Sequence, residues 1–149
     1  MNTMKTLLLG LALVSGCAST QKAAQTVAGA RIVGDHIELD KHVKFSTGEA
    51  VILEESFELL DSVATILKVN QDIAEVSVEG HTDTTGDAAF NQDLSQRRAQ
   101  SVVEYLKSKG VEKQLDAKGF GKDQPLCSED TDECHSKNRR VEFIIKTAG

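Results

Sequence analysis

Tryptophan is absent from this chain of 149 residues, and tyrosine and proline occur once each. Aromatic content is 4%, so a core has to be assembled from Val, Ile, Leu and Ala. Basic excess is missing too. Lys and Arg number 17 against 23 Asp and Glu, for a net charge of −6. That excludes the broad cationic face nucleic-acid phosphates demand. The sequence holds two local arginine pairs instead, Arg97/Arg98 and Arg139/Arg140. A run long enough to cross a bilayer is also lacking. The apolar stretch from Leu7 to Val14 falls short of the ~20 residues that ~30 Å of hydrocarbon requires. Cysteine is scarce, at three residues. What remains, 40% hydrophobic and 27% charged, is a globular composition sized for one domain.

The N-terminus reads as a targeting segment. Lys5 precedes the apolar run, and small residues follow it. The ending "LVSGC" resembles the lipobox of bacterial lipoproteins, in which the cysteine is lipidated and becomes the first mature residue. Residues 1–16 are thus expected to be a signal peptide and Cys17 the lipidation site, against the alternative of an ordinary secretory signal. "ASTQKAAQTVAGAR" then looks like a tether, giving an expected lipidated tether over 17–31 and a domain over 32–149. In an exported, oxidising setting Cys17 is the odd cysteine. Cys127 and Cys134 are left to pair, closing a loop worth about 2.5 kcal/mol in the chain-entropy account. A zinc site of Cys127, Cys134 and His135 matches no common ligand spacing. Loss of the bridge is expected to spare ligand binding if the pocket lies elsewhere.

Periodicity supplies the elements. Ile37, Leu39, Val43 and Phe45 suggest a first strand, interrupted near Asp40, with "STGEA" turning after it. Leu53, Phe57, Leu60, Ala64 and Leu67 predict one face of a helix from about Ala50 to Lys68. "AEVSVEG" alternates as a strand, with Gly80 suited to close backbone approach. Ser95 can cap a second helix that ends at Gly110. "LDAKGFG" is a weaker strand and "RRVEFIIK" a strong one, with a long loop over 122–137 between them. The expected class is α/β, a βαβαββ sandwich with helices packed on a small mixed sheet.

"EGHTDTTGDAAFNQDLSQRRAQSVVEYL", "GFGKDQP" and "NRRVEF", in that order, resemble the OmpA-like C-terminal domain. That family includes peptidoglycan-associated lipoproteins and stator-anchoring flagellar motor proteins. The likeness extends over about residues 37–146, with "IELDKHVKFSTGEAVI" matching the family's first strand and turn. It implies non-covalent binding of peptidoglycan through the diaminopimelate of the stem peptide. One end of that residue is an amino-acid head, with an ammonium and a carboxylate on one carbon. By resemblance Asp83 takes the ammonium and Arg98 the carboxylate, to which a guanidinium can donate two parallel hydrogen bonds. Thr85, Asn91 and Arg139 match further positions of the family pocket. Phe90 stands where many relatives carry Tyr, and Gly48 where some offer a polar side chain.

Each residue alone suits a plainer role. Asp83 suits an Asx turn in "TDTTG". Arg98 suits a surface pair with Glu104 or Asp93, worth ~0–1 kcal/mol. Arg97, Arg140 and Glu142 read as structural or surface residues, and His81 as a packing residue beside the pocket. "SEDTDE" lacks a calcium-loop spacing. The expected function is a lipid-anchored, non-catalytic module on the outer membrane, facing the periplasm and tethering that membrane to the cell wall. No cofactor or metal is expected. A wall hydrolase would need a nucleophile and base, an acid pair or an open metal. A periplasmic protein-interaction hub is the third reading, and it can coexist with wall binding.

Overall fold

The computed structural model describes residues 26–149. Cys17, the expected signal peptide and most of the expected tether lie outside the described residues. Six strands form one mixed sheet: β1 (Thr26–Val27), β2 (Ala30–Val33), β3 (His36–Leu39), β4 (Ile73–Gly80), β5 (Gln114–Gly119) and β6 (Val141–Thr147). Their spatial order is β1-β2-β3-β6-β4-β5. Only β4 and β5 run parallel, as a strand–helix–strand crossover requires. The helices are α1 (Phe57–Val69), α2 (Ala88–Ser108) and the short α3 (Asp132–Asn138). The expected α/β architecture is the observed one, extended by two N-terminal strands.

Those two strands begin before the expected boundary at 31/32. Part of the segment read as tether is sheet, because Ala30–Val33 pair with His36–Leu39 across a tight turn at Gly34, φ +61°. The small residues around Ala30 mask this alternation in the sequence.

The core follows from periodicity. Val76 and Val78 of β4 and Phe143 of β6 are fully buried with Leu60, Val63 and Leu67 of α1 and Val102 and Leu106 of α2. α1 lies against β1 and β2, and α2 against β4 and β5. The start of α1 differs from expectation. Residues 50–53 are not helical: Phe45 bridges Ile52, and Ser46 N and Leu53 N donate to Val51 O and Lys44 O. Gly48, at φ +69°, turns this small hairpin. Helix begins only as a 3-10 turn at Glu54–Ser56. Leu53 and Phe57, the top of the apolar stripe, remain over a third exposed.

α2 also begins elsewhere than expected. Its N-cap is Asp87, which accepts from Phe90 N at 2.8 Å, while Ser95 lies inside the helix and is fully buried. The polar run before Ser95 carries too weak an apolar face to show in the sequence. The Ser95 hydroxyl donates to Gln92 O and accepts from Gly121 N at 2.8 Å. Gly80 and Gly119, paired in register, let the helix descend onto the ends of β4 and β5. A Cβ on either would lie 2.3 Å from helix backbone, at Ser95 O or Gln96 N. Gln96 completes the seam by donating to Ala117 O and accepting from Gly119 N. Its amide serves the free edge of β5 as a neighbouring strand would. Arg98 is thereby held near the carboxyl end of β4.

Candidate functional site

An open cleft of about 980 Å³ lies at that end of the sheet. Asp83, Thr85, Asn91, Arg98 and Arg139, from two separate stretches of sequence, all line it. Asp83 sits in the loop after β4, which is fixed to its neighbours by His81 N to Arg140 O at 2.9 Å and Thr82 N to Gly121 O at 2.8 Å. One carboxylate oxygen of Asp83 accepts from Thr85 N at 3.0 Å and from the Thr85 hydroxyl. The other accepts from an Arg139 guanidinium nitrogen at 2.8 Å. Asn91, nearly buried, donates to Thr85 O at 2.7 Å and so holds the loop from α2. The Asx turn is real, and it aims the carboxylate. Burial pushes the Asp83 carboxyl up, but the Thr85 hydroxyl and amide and the Arg139 charge outweigh it and hold it below the usual value.

Arg98 is held differently. Its Nε donates to Glu49 O at 2.9 Å and one terminal nitrogen reaches Ser46 O at 3.4 Å. The guanidinium lies 5.0 Å from the Phe45 ring centroid, a cation–π distance. Among the described residues no carboxylate pairs with it. The surface pairs weighed for it are otherwise engaged: Asp93 accepts from Arg97 at 2.7 Å, and Glu104 from Gln100. Burial, then the like charges of Arg139 and Arg97, lower the Arg98 pKa. The guanidinium still stays charged. The sequence marks Phe45 only as an apolar strand residue and the hairpin only as the "STGEA" turn, so neither signals that it seats Arg98.

The remaining residues sort by neighbour. Phe90 lines the cleft half exposed, and Gly48 lines its opposite lip. His81 is buried and stacked on Phe120 at 5.3 Å, and among the described residues neither ring nitrogen has a hydrogen-bond partner. Its imidazole comes within 4.8 Å of the carboxylates of Glu79 and Glu142. Glu142 is bound by Arg140 at 2.5 Å. Cys127 and Cys134 are joined, with sulfurs 2.12 Å apart, so neither is free to ligate a metal with His135. The loop they close is not remote from the cleft. α3 is capped by Thr131, which accepts from Cys134 N, and ends at Asn138, whose buried amide binds Leu126 N and Cys127 O. Ser136 and Arg139 of this unit form one wall of the cleft. The bridged loop therefore adjoins the cleft and does not lie elsewhere on the domain.

A mixed sheet carrying α1 and α2, with an acid and an arginine near one end of its strands, defines an α/β sandwich domain. The chain matches the OmpA family over residues 44–139 and belongs to that family. It is 35% identical over 130 residues to "Peptidoglycan-binding protein ArfA" of Mycobacterium tuberculosis, covering 87% of this chain and 36% of that protein. It is 34% identical over 143 residues to outer membrane protein A of Klebsiella pneumoniae, covering 85% and 41%. The chain thus spans less than half the length of these curated relatives. Among solved structures it is similar to the peptidoglycan-associated lipoprotein from Burkholderia pseudomallei. There the TM-score is 0.64 at 26% identity, over 72% of this chain and 91% of that one. The periplasmic domain of Helicobacter pylori MotB shares the fold, with a TM-score of 0.67 at 21% identity over 86% and 89%. Among the described residues no helix is long and apolar enough to cross a membrane.

Proposed function

We propose that this chain is a non-catalytic module that holds the diaminopimelate head of peptidoglycan between Asp83 and Arg98. The observation that carries this reading is the state of the two groups. A carboxylate offers roughly four acceptor sites. Asp83 uses three, for Thr85 N, the Thr85 hydroxyl and Arg139, which leaves one for an ammonium. Arg98 has a charge that no carboxylate among the described residues answers, with Phe45 and two carbonyls orienting its fork. A zwitterionic head complements both. Thr85 and Asn91 hold the acid in place, and Arg139 closes the far side. The printed name of the mycobacterial relative, a peptidoglycan-binding protein, supports the same ligand class.

The wider reading is a lipoprotein anchored through Cys17 to the outer membrane, with this domain in the periplasm on the wall. Protein partners in the periplasm or outer membrane are compatible with that arrangement. The test of the site is co-sedimentation with diaminopimelate-containing sacculi. Asp83→Ala and Arg98→Ala each leave one ligand charge facing a partly desolvated, unpaired site, which costs ~2–5 kcal/mol. Binding should weaken roughly thirtyfold to several-thousandfold, with circular dichroism unchanged. Binding at wild-type strength by both variants would move the ligand to another surface.

A further inference from the structure

The charges of the cleft do not balance, and the excess points to a second group on the ligand. The chain as a whole carries −6, yet among the described residues lining the cleft Asp83 is the sole acid. Lys41, Lys44, Arg98, Arg139 and Arg140 line it as cations. Three of these are answered within the protein. Lys44 pairs with Glu55 at 3.2 Å, Arg140 with Glu142 at 2.5 Å, and Arg139 with Asp83 itself. Arg98 and Lys41 are not, for Lys41 makes no hydrogen bond or ion pair among the described residues. A zwitterionic head bound as proposed above brings one carboxylate, for Arg98, and leaves Lys41 unanswered.

The placement of Lys41 gives that excess a direction. Lys41, His42 and Arg140 line both the main cleft and an adjoining hollow of about 310 Å³. The two acids at that hollow are themselves engaged, Glu38 by Arg31 at 2.6 Å and Glu142 by Arg140. A ligand longer than its amino-acid head, leaving the Asp83/Arg98 end toward the hollow, passes this exposed ammonium.

We propose that the cleft selects ligands carrying a second free carboxylate beyond the amino-acid head, and that Lys41 is the residue that meets it. On a wall peptide this is the free carboxylate of the glutamyl residue next to diaminopimelate, so amidation of that group weakens binding. The proposal rests on the head-binding reading. Lys41 is an exposed, flexible cation, so its contribution is that of a partly screened pair and not of an anchor.

The experiment is isothermal titration of the domain with three synthetic stem tripeptides, each closed as an amide at its C-terminal carboxyl so that only the head and glutamyl carboxyls vary: otherwise unmodified, further amidated at the glutamyl carboxyl, and further amidated at the diaminopimelate head carboxyl. The glutamyl amide should bind the wild type about three- to fivefold more weakly than the acid, as an exposed charge pair predicts. Lys41→Met should bind acid and amide alike, and Lys41→Glu should prefer the amide. The head amide should bind worst to all three proteins. Equal affinity of acid and glutamyl amide for the wild type overturns the second-carboxylate proposal alone, as does a preference that persists in Lys41→Met. A head amide that binds as well as the unmodified peptide overturns the head reading, and the proposal falls with it.

Discussion

Arg98 keeps a full charge in a place where burial and two neighbouring arginines work against it. Two backbone carbonyls and the Phe45 face satisfy part of the guanidinium and fix its plane, which leaves the other part for a ligand. A lysine cannot divide its donors in this way, because its ammonium is compact and has no fixed fork. Arg98→Lys should therefore bind sacculi about tenfold or more weakly while melting like the wild type; affinity within twofold of wild type would show that charge alone suffices. His81 follows a different rule. Burial, and then the nearby Arg140 charge, lower its pKa against the opposing pull of Glu142 and Glu79. The folded state thus binds fewer protons at that ring than the unfolded chain, whose histidine titrates near about 6.5. Stability rises with pH wherever the unfolded state binds more protons. It should fall as pH drops below about 6.5, down to the depressed folded value. His81→Phe keeps the stack on Phe120 and removes the titration, so this part of the melting-temperature profile should flatten. An unchanged profile would place the acid sensitivity in another group.

At the scale of elements, the cleft is made where three of them end. The glycines of β4 and β5 admit α2, the hairpin before α1 seats Arg98, and α3 delivers Arg139. The last of these depends on the Cys127–Cys134 loop. Seven residues of helix have little intrinsic stability. Here the Thr131 cap, the Asn138 amide and the bridge hold them. Replacing both cysteines by serine removes a loop-closure contribution of about 2.5 kcal/mol. Melting temperature should fall, and sacculus binding should weaken a few-fold as Arg139 loses its mooring. Lower stability with affinity unchanged would show that Asp83 alone keeps Arg139 in place.

On the scale of the whole molecule, the binding domain has to be joined to a membrane for the tethering reading to hold. The described residues contain no helix fit to cross one, and the segment carrying Cys17 precedes them. Lipid chains supply affinity at ~0.8 kcal/mol per buried CH₂, so a multiply acylated cysteine anchors firmly while the wall contact exchanges. Cys17→Ser should shift the full chain from the membrane to the soluble fraction, with sacculus binding by the released protein retained. Mass spectrometry of the wild-type protein should show an acylated N-terminal cysteine. A wild-type chain that starts elsewhere and carries no lipid would end this part of the proposal.

The class of fold was legible because burial imposes a period. Val76 and Val78 alternate on a strand, and Leu60, Ala64 and Leu67 step along a helix face, whatever packs against them. Asp83, Thr85, Asn91, Arg98 and Arg139 could be picked out because they lie in motifs shared with a family, and Gly80 because a bare backbone position in a strand invites close approach. Element starts were not legible. Residues 50–53 fit a helical pattern but are claimed by backbone hydrogen bonds to Lys44 and Ser46, and Ser95 looks like a cap until Gly121 and Gln92 are seen around it. The partners inside the cleft belong to tertiary structure alone. That Arg139 and not Arg98 answers Asp83, and that Arg98 rests on carbonyls 49 and 52 residues away, depends on which backbones meet at the end of the sheet. Sequence determines which charges are available; only packing decides which of them are already neutralised, and so which are left for a ligand.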